Sequence, residues 1–177
     1  AFGLFLGALG LLVNNPLVPI APLVHLPIVS IIGLLVLVVG IYGWSFGGYF
    51  SAMAVMRRPD VFKVGVAGAP VCDWRDYDTH YTERFMGLPD ENQAGYDSAS
   101  VLTYCKDLTR PLLIIHGTAD DNVYFMHSLK MSNALFRAGR DHDLLPLSDF
   151  THMVADPLVT RRLYERITGY LTTHLLD

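Results

Sequence analysis

The stretch Gly43-Trp44-Ser45-Phe46-Gly47-Gly48 constrains the fold of this 177-residue chain more than any other. The run Ile28 to Tyr42 leads into it without a break, and the Ala- and Met-rich segment Tyr49 to Arg57 leaves it, closing at Arg58-Pro59-Asp60 as a helix does before a proline. Strand, tight turn and helix follow one another. A serine at such a turn sits in strained backbone, so its neighbours must be small, and the G-x-S-x-G spacing supplies glycines there. The turn also places the Phe46 N–H at a helix N-terminus, where it can donate to a developing oxyanion.

A coarse reading of the rest continues the alternation. Leu37 to Tyr42 is expected as a fully buried central strand, because a parallel sheet covered on both faces shows no polar alternation. Phe62 to Ala67 reads as a second strand, Trp74 to Met86 as a helical or irregular excursion, and Gly87-Leu88-Pro89 to Tyr96 as turn-rich loop. Pro111 to His116 is a third strand. Phe125 to Ala138 has helical spacing, with Met126, Leu129, Leu135 and Phe136 expected to share the apolar face and Gly139 to stop it. Leu144 to Leu147 is a short edge strand that tolerates Pro146, and Thr160 to Leu176 is a terminal helix. Strands alternating with helices predict α/β layering around a parallel sheet.

Charge divides the chain in two. Residues 1–40 hold no Asp, Glu, Lys or Arg, which sets an apolar N-terminal segment of open status apart from a domain over 41–177. Prolines 19, 22 and 27 interrupt any continuous helix in that segment. Core strands, a membrane hairpin and a signal-like segment all remain open for it; a membrane attachment through residues 1–42 is the less favoured reading, and no basic region precedes the apolar run. The 13 basic residues against 17 acidic ones form no cationic run, which argues against nucleic acid as a partner. Cys72 and Cys105 lack metal-ligand spacing and are expected as free buried thiols, and Asp76 with Asp78 reads as a solvated face, so neither a metal nor a cofactor is expected.

A serine hydroxyl needs a base to take its proton and a carboxylate to hold that base in one tautomer. In a sheet of this type the acid lies in a loop beyond a strand and the histidine in a later loop, in the chain order Ser, Asp, His. Asp120 follows the strand Pro111 to His116, and His152 follows Leu144 to Leu147 and the turn Ser148-Asp149. Asp121 is the direct rival for the acid, while Asp149 and Asp156 stand in the wrong order. Of the other histidines, His25 and His80 precede Asp120, His116 ends a strand, His127 and His142 lie on or just after a helix, and His174 is near the C-terminus. Ser45, Asp120 and His152 are therefore the candidate triad of a serine hydrolase with the α/β-hydrolase fold. At this length the chain is expected to hold part of that fold's sheet with flanking helices.

The stretches GWSFGGY, VFKVGVAGAPV, YTERFMGLP and HGTADDNV carry a more specific signal than the five-residue motif. From Ile41 onward the chain resembles the catalytic domain of the prolyl oligopeptidase family, in its dipeptidyl-peptidase-IV-like branch. The resemblance implies a peptidase that cleaves after proline or alanine near the free N-terminus of a peptide, with tripeptidyl release as a related variant. It assigns Ser45 as nucleophile, Asp120 as orienting acid and His152 as base. It also implies a proline pocket at Phe46, Val71, Trp74, Tyr77, Tyr81 and Val123, and gives Asn122 a hydrogen bond to a substrate carbonyl. Aromatic walls suit a flat apolar ring; read without the family, the same residues are ordinary core.

Further expectations follow from the resemblance: a peptide substrate, a homodimer, and a periplasmic, secreted or membrane-associated setting rather than a cytoplasmic one. The branch often has Tyr where Phe46 stands, a change that keeps the pocket apolar. Its second oxyanion donor is a tyrosine hydroxyl far upstream of the nucleophile, and no tyrosine precedes Tyr42 here; losing such a donor costs about 100- to 1000-fold in turnover. The family's N-terminal β-propeller has no counterpart in residues 1–40, so the chain is expected to be a fragment, whose activity alone is doubtful. An esterase or acyl-peptide hydrolase on the same triad, and a noncatalytic interaction module, are the alternative functions.

Overall fold

The computed structural model describes residues 39–176. The expectations for the apolar segment before Val39, and for His25, lie outside the described residues. Four strands form one parallel sheet in the order β1-β2-β3-β4: β1 is Val39–Trp44, β2 Phe62–Gly68, β3 Leu112–Gly117 and β4 Asp143–Leu147. Each connection carries helix, as parallel pairing requires. Helix α1 (Phe46–Arg57) joins β1 to β2; α2 (Thr79–Met86), α3 (Gln93–Ala99) and two 3-10 segments, Trp74–Asp76 and Val101–Asp107, lie between β2 and β3; α4 (Met126–Arg137) precedes β4, and α5 (Pro157–Leu176) ends the chain.

The sheet is sandwiched between two apolar layers. One face packs Ala52, Val55 and Met56 of α1 with Ala67, Leu112, Ile114, Met131, Leu135, Cys72 and Cys105; the other packs Val64, Val66, Leu113 and Ile115 against Leu163, Ile167 and Tyr170 of α5. Alternate residues of β2 and β3 feed opposite layers, and both strands are wholly buried where they pair with each other. Both thiols are free and buried, and burial pushes each up to about 12.

Three expectations are corrected. Strand β1 is half-buried along its length rather than fully buried; among the described residues it pairs with β2, and Leu37 and Val38 lie outside those residues. The segment Gly87 to Tyr96 is not all loop: Asn92 caps α3 by accepting from the Gly95 N–H at 3.2 Å, and Tyr96 is fully buried with its hydroxyl donating to the Gly87 carbonyl at 2.8 Å. On α4 the apolar periodicity misleads. Met126, Leu129 and Phe136 face outward, Phe136 being 81% exposed, while His127, Ser128, Met131 and Leu135 face the sheet. Polar side chains take the inner positions with partners across the interface: Ser128 bonds His116 Nδ1 and His127 Nδ1 accepts from the Cys72 N–H, while His127 Nε2 is buried without a partner among the described residues. Asp76 and Asp78 lie at the surface as expected, where Asp76 pairs with Lys130 at 2.6 Å and Asp78 caps α2 through the Tyr81 N–H at 2.8 Å.

The remaining boundaries follow local chemistry. Pro146 lies on β4, which pairs only with β3 among the described residues. Helix α5 begins three residues before the expected Thr160, because Asp156 accepts from the N–H groups of Leu158 (2.8 Å) and Val159 (2.9 Å) and Pro157 fits the first helical position. Among the described residues no helix is long and apolar enough to cross a membrane.

Candidate active site

All three candidate residues lie beyond the carboxyl ends of strands, the edge where open α/β sheets build their sites. Ser45 follows β1, Asp120 follows β3 and His152 follows β4. Ser45 has φ 59° and ψ −118°, a conformation that non-glycine residues rarely adopt and that surroundings must hold in place. Its N–H donates to the Gly68 carbonyl at 2.8 Å, and its carbonyl accepts from the Tyr49 N–H at 3.0 Å. The glycines around it do different work. A Cβ on Gly43 would come within 2.7 Å of the Gly47 Cα, whereas one on Gly47 would meet nothing, so the close approach is at Gly43. The Phe46 N–H opens α1, among the first-turn amides that have no acceptor within the helix.

The turn after β3 holds Asp120 by its carboxylate. The side chain is fully shielded from solvent; Oδ1 accepts from the N–H groups of Asn122 (3.0 Å) and Val123 (2.9 Å), and Oδ2 lies 2.7 Å from His152 Nδ1. A carboxylate only accepts, so Nδ1 carries the proton and the Nε2 lone pair is left open. His152 keeps 15% of its side chain exposed. Its loop is clamped from the Ser45 side: Trp44 Nε1, one residue before Ser45, donates to the His152 carbonyl at 2.8 Å. The hydrogen bond that orients the imidazole is the one to Asp120; none joins it to the Ser45 hydroxyl among the described residues. Such contacts commonly tighten only when substrate binds.

The rival groups are occupied or remote from this cluster. Asp121 is exposed, Asp149 sits in a left-handed turn at φ 65°, and Asp156 caps α5. His80 is exposed on α2, His142 pairs with Ser132 at 2.7 Å, and the His174 ring packs edge-on to Tyr170. His127 Nδ1 accepts from the Cys72 N–H at 3.2 Å, and burial holds this imidazole below the usual histidine range. No cluster of three or more His, Cys, Asp or Glu among the described residues is placed to hold a metal ion.

Beside Ser45 runs a chain of aromatic rings. Trp74 packs against Phe46 (5.9 Å between centroids), Tyr49 (5.1 Å), Tyr77 (5.7 Å) and Tyr81 (6.1 Å, stacked), and Tyr81 continues to Phe85 (5.1 Å). Val71 and Val123 are buried with Trp74 in one cluster. The Tyr77 hydroxyl donates to Asn122 Oδ1 at 3.0 Å, which ties the aromatic run to the loop of Asp120. A cleft of about 300 Å³ opens on this run, lined by Phe46, Tyr49, Trp74, Tyr81, Phe85 and their neighbours; Val71, Tyr77, Asn122 and Val123 lie outside its lining. A larger polar hollow of about 540 Å³, between Arg110, Asp143 and Tyr170, lies at the opposite, amino edge of the sheet.

Sequence reasoning missed four participants. Tyr49 and Phe85 join the aromatic run, and helical spacing carried the signal, since they follow Phe46 by three and Tyr81 by four positions. Trp44 and His116 gave none: the first acts through a bond across 108 positions. His116 Nε2 lies 3.2 Å from Asp120 Oδ2, a second imidazole on the same carboxylate.

Known proteins share this arrangement of elements. Dipeptidyl peptidase 8 from Mus musculus and from Homo sapiens are each 47% identical over 140 residues, 77% of this chain and 16% of theirs. Dipeptidyl peptidase 4 from Sus scrofa is 39% identical over 136 residues. A solved dipeptidyl peptidase 4 from Porphyromonas gingivalis superposes with a TM-score of 0.74 at 41% identity, covering 77% of this chain and 19% of that one. A putative dipeptidyl aminopeptidase IV from Bacteroides ovatus gives 0.75 at 38%. The chain thus spans less than a fifth of the length of these relatives. With the four-stranded parallel sheet and flanking helices of an α/β-hydrolase catalytic domain, and with the sequence profile of the prolyl oligopeptidase family matching residues 38–177, this chain belongs to that family.

Proposed function

We propose that this chain carries the catalytic centre of a serine peptidase that cleaves after proline, or alanine, near the free N-terminus of a peptide. The observation that carries the reading is the His152 imidazole, oriented by a fully buried Asp120 carboxylate at 2.7 Å and clamped to the residue preceding Ser45. In the reaction His152 Nε2 takes the Ser45 proton as Oγ adds to the scissile carbonyl carbon. The Phe46 N–H donates to the oxyanion, and His152 then passes its proton to the leaving amine. An acyl-enzyme on Ser45 remains, and water hydrolyses it by the same proton path. Phe46, Trp74, Tyr77 and Tyr81, with Val71 and Val123 behind them, would receive the pyrrolidine ring, and Asn122 a substrate carbonyl. No cofactor enters this chemistry.

The test uses the full-length protein. Ser45 reacts with a fluorophosphonate and Ser45→Ala does not, and a Gly-Pro reporter turns over faster than a short-chain ester. An unlabelled Ser45, beside a control hydrolase that reacts, would defeat the catalytic reading and favour the interaction module. Faster turnover of the ester would move the assignment to an esterase.

A further inference from the structure

Two imidazoles converge on one oxygen. Asp120 Oδ2 lies 2.7 Å from His152 Nδ1 and 3.2 Å from His116 Nε2. His152 reaches solvent, while His116, near the end of β3, is completely buried. Burial holds the His116 imidazole below the usual histidine range, so it carries a single N–H. Its partners decide where that hydrogen sits. Nε2 is 2.7 Å from the Val123 carbonyl, which can only accept, and Nδ1 is 2.7 Å from the Ser128 hydroxyl. The consistent assignment puts the hydrogen on Nε2, donated to Val123 O with Asp120 Oδ2 an electrostatic neighbour at 3.2 Å, and Ser128 donating to Nδ1.

The opposite tautomer is costly. It would aim the Nε2 lone pair at a carbonyl oxygen and a carboxylate oxygen, and the repulsion would push the Asp120 carboxylate away from its present pitch. The Val123 carbonyl therefore selects the tautomer that attracts the carboxylate, and Ser128, fully buried on α4, completes it by donating to Nδ1. The Phe125 ring stands edge-on to the His116 ring at 5.7 Å and steadies its plane. Val123 is engaged twice, through its N–H to Oδ1 and its carbonyl to His116 Nε2, which closes the turn around Asp120.

We propose that Ser128 and His116 are positioning residues, a Ser128–His116–Asp120 arm that holds the carboxylate aimed at His152 Nδ1. The proposal rests on the triad reading above and extends it to α4. Neither residue reaches the substrate, so the arm acts on turnover and leaves substrate affinity alone.

The test compares wild type, Ser128→Ala and Ser128→Thr in the full-length protein. Ser128→Ala removes one buried oxygen, and we expect kcat to fall about 10-fold with KM unchanged, the scale of a small misplacement of a catalytic group. The deshielded proton between His152 Nδ1 and Asp120 should shift in the one-dimensional proton spectrum, and Ser128→Thr, which keeps the hydroxyl, should restore both. Wild-type kcat in Ser128→Ala, an unmoved proton signal, or a loss of kcat that only follows a loss of folded protein by circular dichroism would each overturn the arm. Fluorophosphonate labelling separates the two readings: a labelled wild type with an indifferent Ser128→Ala sinks the arm alone, whereas an unlabelled wild type sinks the triad and the arm together.

Discussion

The turn that carries Asp120 and the aromatic run from α1 through Trp74 to α2 lie on the same side of the molecule but are built on opposite principles. Around Asp120 every carboxylate oxygen is engaged, the side chain is sealed from water, and strands β3 and β4 set the spacing. Along the aromatic run the contacts are ring against ring; Phe46, Tyr81 and Phe85 keep 55%, 44% and 71% of their surfaces exposed. The comparison separates two demands. Under the proposed function, proton transfer tolerates little misplacement, and directional bonds around a buried carboxylate meet that demand. Holding an apolar ring requires area and shape, which stacked side chains supply without fixing every atom.

The largest effect that could break this contrast is on the acid. Asp120→Asn should lower kcat by about 10⁴-fold while KM changes little, since an amide cannot enforce the His152 tautomer; steady-state kinetics on a Gly-Pro reporter checks it, and a change confined to KM would contradict the directional-bond account. Next comes Trp74→Ala. Trp74 is 6% exposed and touches four other rings, so its removal should cost about 3–5 kcal/mol in chemical denaturation and raise KM. A loss below about 1 kcal/mol would mean the run is held from elsewhere.

Acid sharpens the comparison from the buried side. The folded-state pKa values of His116 and His127 are depressed by burial, so below the ordinary histidine value of about 6.5 the unfolded chain binds more protons than the folded one. Stability is therefore retained above that value and falls as pH drops through it, by at most about 1.4 kcal/mol per pH unit for each imidazole. Urea titrations from pH 7 to 5 measure the slope, and Ser128→Ala, which frees His116 Nδ1, should lessen it. The smallest effect belongs to Tyr77→Phe. Its hydroxyl bond to Asn122 is exposed, and removing it should change KM by no more than about threefold, with the melting temperature unmoved.

Much of the site was written locally. Gly43, Ser45 and Phe46 lie within one turn, and strand-turn-helix chemistry is a short-range property, so the strained serine was legible before any coordinates. The order of strands and helices likewise announced the parallel sheet. On helix α4 only Leu135 of the four apolar residues expected to share a face turned inward, because hydrophobic periodicity assumes that polar side chains seek water, and here His127 and Ser128 find buried partners on other elements. Helix α3 was hidden by the turn-forming residues ahead of it, which include the Asn92 that caps it.

By itself the sequence determined that a serine would sit on a tight turn after a strand, that an acid and a histidine would follow in later loops, and that helices would layer against a parallel sheet. Each rests on neighbours in the chain or on the spacing of apolar residues. The tertiary structure alone decided that Trp44 would clamp the His152 loop, that Tyr77 would reach Asn122, and that His116 and Ser128 would back the Asp120 carboxylate. Those bonds join different strands, helices and loops. Their partners are chosen by the register and twist of the assembled sheet, which brings distant loops to one edge and has no signature in local composition.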